Sequence, residues 1–138
     1  MTALPSASVL VRTWFGDDPA WASLLLEVQT PNGDGFLANV TAVDNPLFES
    51  LGAEALQAKQ TGRAIVSFIA DETTLTTAEH PILAVWVLPH HDEDPRDLKP
   101  FRVVSAALWS VENNINLGNM DWADFTRSVD RDATFRGF

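Results

Sequence analysis

Residues 8–28 read SVLVRTWFGDDPAWASLLLEV, and the stretch changes character at Gly16. Ahead of that glycine, Ser8 to Phe15 mixes β-branched and aromatic residues, the composition of a strand. Behind it, Asp17 and Asp18 supply an acidic cap and Pro19 a residue suited to the first helical turn. Trp21, Leu24, Leu25 and Val28 then recur at helical spacing. A strand, a tight turn and a helix in succession form the opening unit of an alternating α/β chain.

The same grammar continues on the carboxyl side. Pro31-Asn32-Gly33-Asp34-Gly35 stops the helix before a second strand, Phe36 to Val43. Asp44-Asn45-Pro46 leads into a helical stretch with Leu47, Leu51, Ala55 and Leu56, interrupted at Gly52 and closed by Thr61-Gly62. Ala64 to Ala70 is a third strand. Ile82 to Leu88 is a fourth, apolar at every position as expected of a strand covered on both faces. Asp71 to Pro81 joins them, with Thr76 and Glu79 at capping-box spacing and His80 in a turn before Pro81. This link is short for a parallel crossover, so an antiparallel return stays open beside it. Pro89 to Pro100 reads as a solvated loop and Phe101 to Val104 as a fifth strand.

From Ser105 the period is helical, with Val104, Leu108, Val111 and Ile115 on one arc and Gly118 as the stop. Asp121 and Asp124 then mark a last helix, with Met120 and Phe125 at the positions of a hydrophobic staple, and Phe135 and Phe138 dock the end of the chain. The expectation is one α/β domain over residues 1–138. Its sheet is four- or five-stranded, mostly parallel and flanked by helices, and the chain ends in a C-terminal helical pair.

Composition narrows the function. The 138 residues are 46% hydrophobic and contain no Cys, which excludes disulfide scaffolds, thiolate metal sites and thiol nucleophiles. Nineteen acidic against nine basic residues give a net charge of −10, spread over both halves, which argues against nucleic acid and anionic membranes as partners. Met1 to Ser8 lacks the basic start and apolar run of a secretory signal, and no apolar run is long enough to span a bilayer, so a bacterial cytoplasmic protein is expected.

In open α/β sheets, ligands gather beyond the carboxyl ends of the strands. Asp17, Asp18, Asp44 and Asp71 follow the first three strands, and His90, His91 and Asp92 follow the fourth. Were all strands parallel, these groups would rim one edge. The placement is similar to the acidic pocket of response-regulator receiver domains, although no Lys follows the fifth strand. The four aspartates would then hold Mg²⁺ for hydrolysis or phosphoryl handling. Each also precedes a helix or turn that it would cap, and capping is the commoner use, so no cofactor is the leading expectation. His90 and His91 are adjacent and point to opposite faces in extended backbone, which suits a solvated loop better than a metal site. No GxSxG elbow, P-loop or GxGxxG occurs, so the sequence leans away from catalysis.

Leu108 to Phe125, LWSVENNINLGNMDWADF, is the most distinctive stretch. Glu112, Asn116 and Asn119 lie beside its apolar arc at positions i, i+4 and i+7, where poor helix formers imply a use for their hydrogen bonds, either within the fold or toward a ligand. Among five Trp, Trp14, Trp21, Trp109 and Trp122 are candidate surface anchors, and Trp86 in the apolar strand is core. The candidate binding set is Trp14, Trp109, Glu112, Asn113, Asn116 and Trp122.

This stretch, with the opening VLVRTWFGDDPAW, the central ADETTLTTAEHPIL and the closing FRGF, resembles a family of small actinobacterial proteins catalogued as a domain of unknown function. The likeness spans nearly the whole chain and implies a single compact domain, with no activity attached. The expected function is a non-catalytic, protein-binding or accessory module with an acidic surface for a basic partner, an immunity-type protein being one form. A metal-assisted enzyme and a structural subunit of a larger assembly are the alternatives.

Overall fold

A computed structural model describes residues 4–60, 62–88 and 98–138. In chain order the elements are β1 (Val9–Arg12), α1 (Asp18–Val28), β2 (Thr41–Val43), α2 (Ala53–Lys59), β3 (Val66–Ala70), α3 (Glu72–Thr76), β4 (Ile82–Trp86), β5 (Phe101–Val103), α4 (Leu108–Asn116), α5 (Trp122–Thr126) and β6 (Thr134–Phe135). Short 3₁₀ turns at Pro46–Phe48 and Ser105–Ala107 precede α2 and α4.

The strands form one six-stranded sheet in the order β2-β1-β3-β4-β5-β6. β1 is parallel to both β2 and β3, β4 runs antiparallel to its two neighbours, and β6 is parallel to β5. The sheet is therefore mixed, not mostly parallel, and has six strands where four or five were expected. The cause of the reversal lies in the Asp71–Pro81 link. Only the five-residue α3 fits into it, and a crossover helix long enough to carry the chain back along the sheet does not.

Nor does the chain end in a helical pair. α4 and α5 form where the periodicity puts them, each packed on the sheet, and the chain then returns to the sheet as β6. Phe135 is the reason: fully buried, it packs edge-on against Phe125 at 5.0 Å while its backbone accepts from Val104 N.

Alternation along the strands divides the core in two. Leu10, Val66, Phe68, Ile82, Ala84, Phe101 and Val103 face α1, α4 and α5. Val9, Val11, Ile69 and Val85 face α2 and Phe48 of the first 3₁₀ turn. The result is three layers with the thicker core beneath α1, α4 and α5. Placing α1 and α2 on opposite faces is what right-handed crossovers demand when the second passes β1 in the opposite direction. β2 is shorter than the apolar run Phe36–Val43 suggests, because Asn39 gives its N–H to the Glu112 carboxylate and not to a neighbouring strand.

Candidate functional site

At the carboxyl ends of β1, β2 and β3 the aspartates do approach the same edge, but they meet arginines. Arg12, the last residue of β1, is 3% exposed. Its Nη2 donates to Asp18 at 2.6 Å, its Nη1 lies 3.5 Å from Asp44, and its Nε donates to the Trp14 carbonyl at 2.9 Å. The guanidinium also lies 4.5 Å from the Phe15 ring centroid and 5.8 Å from that of Trp21. A cation held under aromatic faces and turned onto two carboxylates is fully compensated.

Asp17 accepts from Ala20 N and caps α1. Asp71 caps α3 through a capping box with Thr74 and receives both Nη groups of Arg102 at 2.8 Å, in the fork geometry that suits a carboxylate. Partial burial pushes the Asp71 carboxyl up, but the Arg102 fork and the Thr74 N–H outweigh it and hold the group below its ordinary value.

Three of the four aspartates are thus salt-bridged to two arginines, and the fourth is a helix cap. Among the described residues no group of three or more His, Asp or Glu stands close enough to hold a metal ion. Reasoning from the acids alone missed Arg12 and Arg102. Their signal was available, since each is the only charge in an otherwise apolar strand, VLVR and FRVV. Because β4 runs the other way, its carboxyl end leaves from the opposite edge, away from Asp18, Asp44 and Asp71. His90 and His91 lie outside the described residues.

The polar side chains of α4 are spent on the fold. Glu112, 5% exposed, accepts from Asn39 N, Asn113 Nδ2 and Asn116 Nδ2. Asn113 also donates to the Leu37 carbonyl. Asn116 accepts from Ile65 N at 3.0 Å and donates to Ser8 Oγ at 2.8 Å. Beyond Ser8, the Ser67 hydroxyl bonds Val9 N and Gln60, and Gln60 reaches the carbonyls of Pro5 and Ala7. One network therefore joins α4 to the starts of β1 and β3 and to the segment before β2.

The tryptophans differ in setting. Trp122 is buried, donates to the Lys99 carbonyl and sits edge-on to Trp86 and Phe101 at 5.7 and 4.8 Å. Trp21 is buried under α1, so neither of these two is a surface anchor, whereas Trp86 lies half-buried at the core margin. Trp14 is half-buried and folds back over Gly16 so closely that any Cβ there would strike its ring.

Trp109 is half-buried and stacks on exposed Phe36, with ring centroids 4.5 Å apart and an interplanar angle of 11°. That pair stands at a cleft of about 520 Å³ between the end of α1, the Thr30–Ala38 segment and the start of α4. Glu27 on its wall accepts at Oε2 from His80 Nδ1 and Ser105 Oγ, both at 2.7 Å. His80 holds this position in left-handed backbone, φ +50°. A second hollow of about 430 Å³ lies between Trp86, Met120 and Trp122.

The architecture and its arginine-filled edge define a three-layer α/β domain with a mixed sheet. Residues 7–138 match the family described as Domain of unknown function (DUF6924), and the chain belongs to that family. No curated protein matches it.

Proposed function

We propose that this domain is a non-catalytic binding module of the cytoplasm that engages a basic protein, an immunity-type neutraliser of a cationic toxin being one concrete form. The observation that carries this reading is how the charges are used. Arg12, Arg102, Arg127 and Arg136 are each turned onto the chain's own acids. Asp34, Glu49, Glu54, Glu72 and Asp121 are exposed with no ion-pair partner among the described residues. A surface of unpaired carboxylates steers a cationic protein toward it and repels acidic competitors. Trp14, beside Asp17 and Asp18, is the aromatic anchor we assign to that contact, while Glu112, Asn113, Asn116 and Trp122 hold the shape behind it.

The test is to cross-link the tagged domain in its native host, identify the partner, and titrate the two purified proteins at about 50 and about 300 mM salt. A basic partner whose affinity falls at least about tenfold between the two salts is expected. Recovery of abundant background proteins alone, or an affinity indifferent to salt, overturns the proposal.

A further inference from the structure

The cleft beside Trp109 has no part in that reading, and its chemistry points elsewhere. Its walls are apolar side chains, Leu26, Val28, Leu37 and Leu108 among them, with the Phe36–Trp109 stack as a flat aromatic face. A recess of about 520 Å³ with apolar walls and a few converging polar groups has the size and character of a small-molecule site. Phe36 and Leu26 remain 47% and 70% exposed at its rim, so apolar surface is left uncovered where an occupant would lie.

The polar corner sets the ligand's charge. Glu27 is the only ionisable group of the lining, which contains no Lys or Arg. Its Oε2 takes the bonds from His80 and Ser105, and these fix the carboxylate in place. Its Oε1 accepts no hydrogen bond from any described residue. A fixed carboxylate oxygen beside an apolar recess, in a chain of net charge −10, favours a donor that carries positive charge and disfavours an acid.

We propose that this cleft binds a small apolar molecule carrying a protonated amine, its flat or aliphatic body against Phe36 and Trp109 and its ammonium on Glu27 Oε1. No bond is made or broken. The site is independent of the basic-protein reading, because it uses Glu27 and the α4 face where that reading uses the exposed acids and Trp14.

The test uses three probes that share one body, 4-phenylbutylamine, 4-phenylbutanol and 4-phenylbutyrate, titrated into the whole chain by calorimetry and by amide and indole NMR shifts. The amine should bind about tenfold more tightly than the carboxylate, with the alcohol between, and should move the indole N–H signal of Trp109. Glu27→Gln should bring the three probes to within about threefold of one another. Ala106→Phe, at an exposed position on the wall, should block all three while leaving the melting temperature in place, which separates a filled site from a misfolded variant. Equal binding of amine and carboxylate by the unaltered protein, or no shift at Trp109 with millimolar amine, overturns the proposal. So do shifts of the cleft residues on dilution without any probe, because a second copy of the chain would then be the occupant.

Discussion

Glu112 and Arg12 are both buried charges, and their surroundings give them different weights. The carboxylates facing Arg12 are largely in water, with Asp18 and Asp44 at 83% and 49% side-chain exposure, so removing the arginine strands no buried acid. Removing Glu112 leaves Asn39 N without its acceptor inside the fold and takes one of two acceptors from each of the Asn113 and Asn116 carboxamides. Glu112→Ala should therefore cost about 2–3 kcal/mol in urea unfolding, and Asn116→Ala, which orphans Ile65 N, about 1–2 kcal/mol. An unchanged urea midpoint for Asn116→Ala would free that carboxamide for ligand contact. The sequence made these residues conspicuous because asparagines are costly inside a helix. It could not name their partners, since Ser8, Asn39 and Ile65 lie 51 to 108 positions away. Glu27, His80 and Ser105 carry no such local mark, and only the fold brings them together.

Three helix boundaries with a local cause stand as read from sequence, whereas α3 is boxed by Asp71 and Thr74 and not by Thr76 and Glu79. The Asp17–Pro19 start of α1, the Gly118 stop of α4 at φ +73° and the Asp121–Asp124 capping box of α5 all form as their side chains dictate. The direction of β4 and the pairing of β6 depend on distant strands, and a two-residue strand has no periodicity to detect. α3 is held at both ends of its acid pair, since Asp71 caps it and grips Arg102 on β5. Because the Asp71 carboxyl sits below its ordinary value in the folded state, its contribution is complete above about pH 4 and is lost as the pH falls through the lower, folded value. Asp71→Asn should lower the urea midpoint at pH 6 and narrow its gap to the parent protein as the pH approaches 2. At the far edge, Arg136 gathers Glu79, Asp130 and Asp132 and so pins β6 to the turn before β4. Arg136→Gln should speed amide exchange at Val104 and Phe135 while leaving β1 and β3 protected, a local opening that high salt would imitate.

At the scale of the molecule, the excess of acid is tolerated because the concentrated part of it, at the carboxyl edge, is neutralised from within by Arg12 and Arg102. No helix among the described residues is long and apolar enough to cross a membrane. The central strands β1, β3 and β4 bury their side chains on both faces, so the layers fold as one unit, and a single cooperative transition is expected by both fluorescence and far-ultraviolet circular dichroism. The sheet's outermost strands are short, three residues in β2 and two in β6. So few free amides give an incoming β-segment almost nothing to zip onto. A concentrated solution agitated for days at neutral pH should stay clear and leave thioflavin T dark.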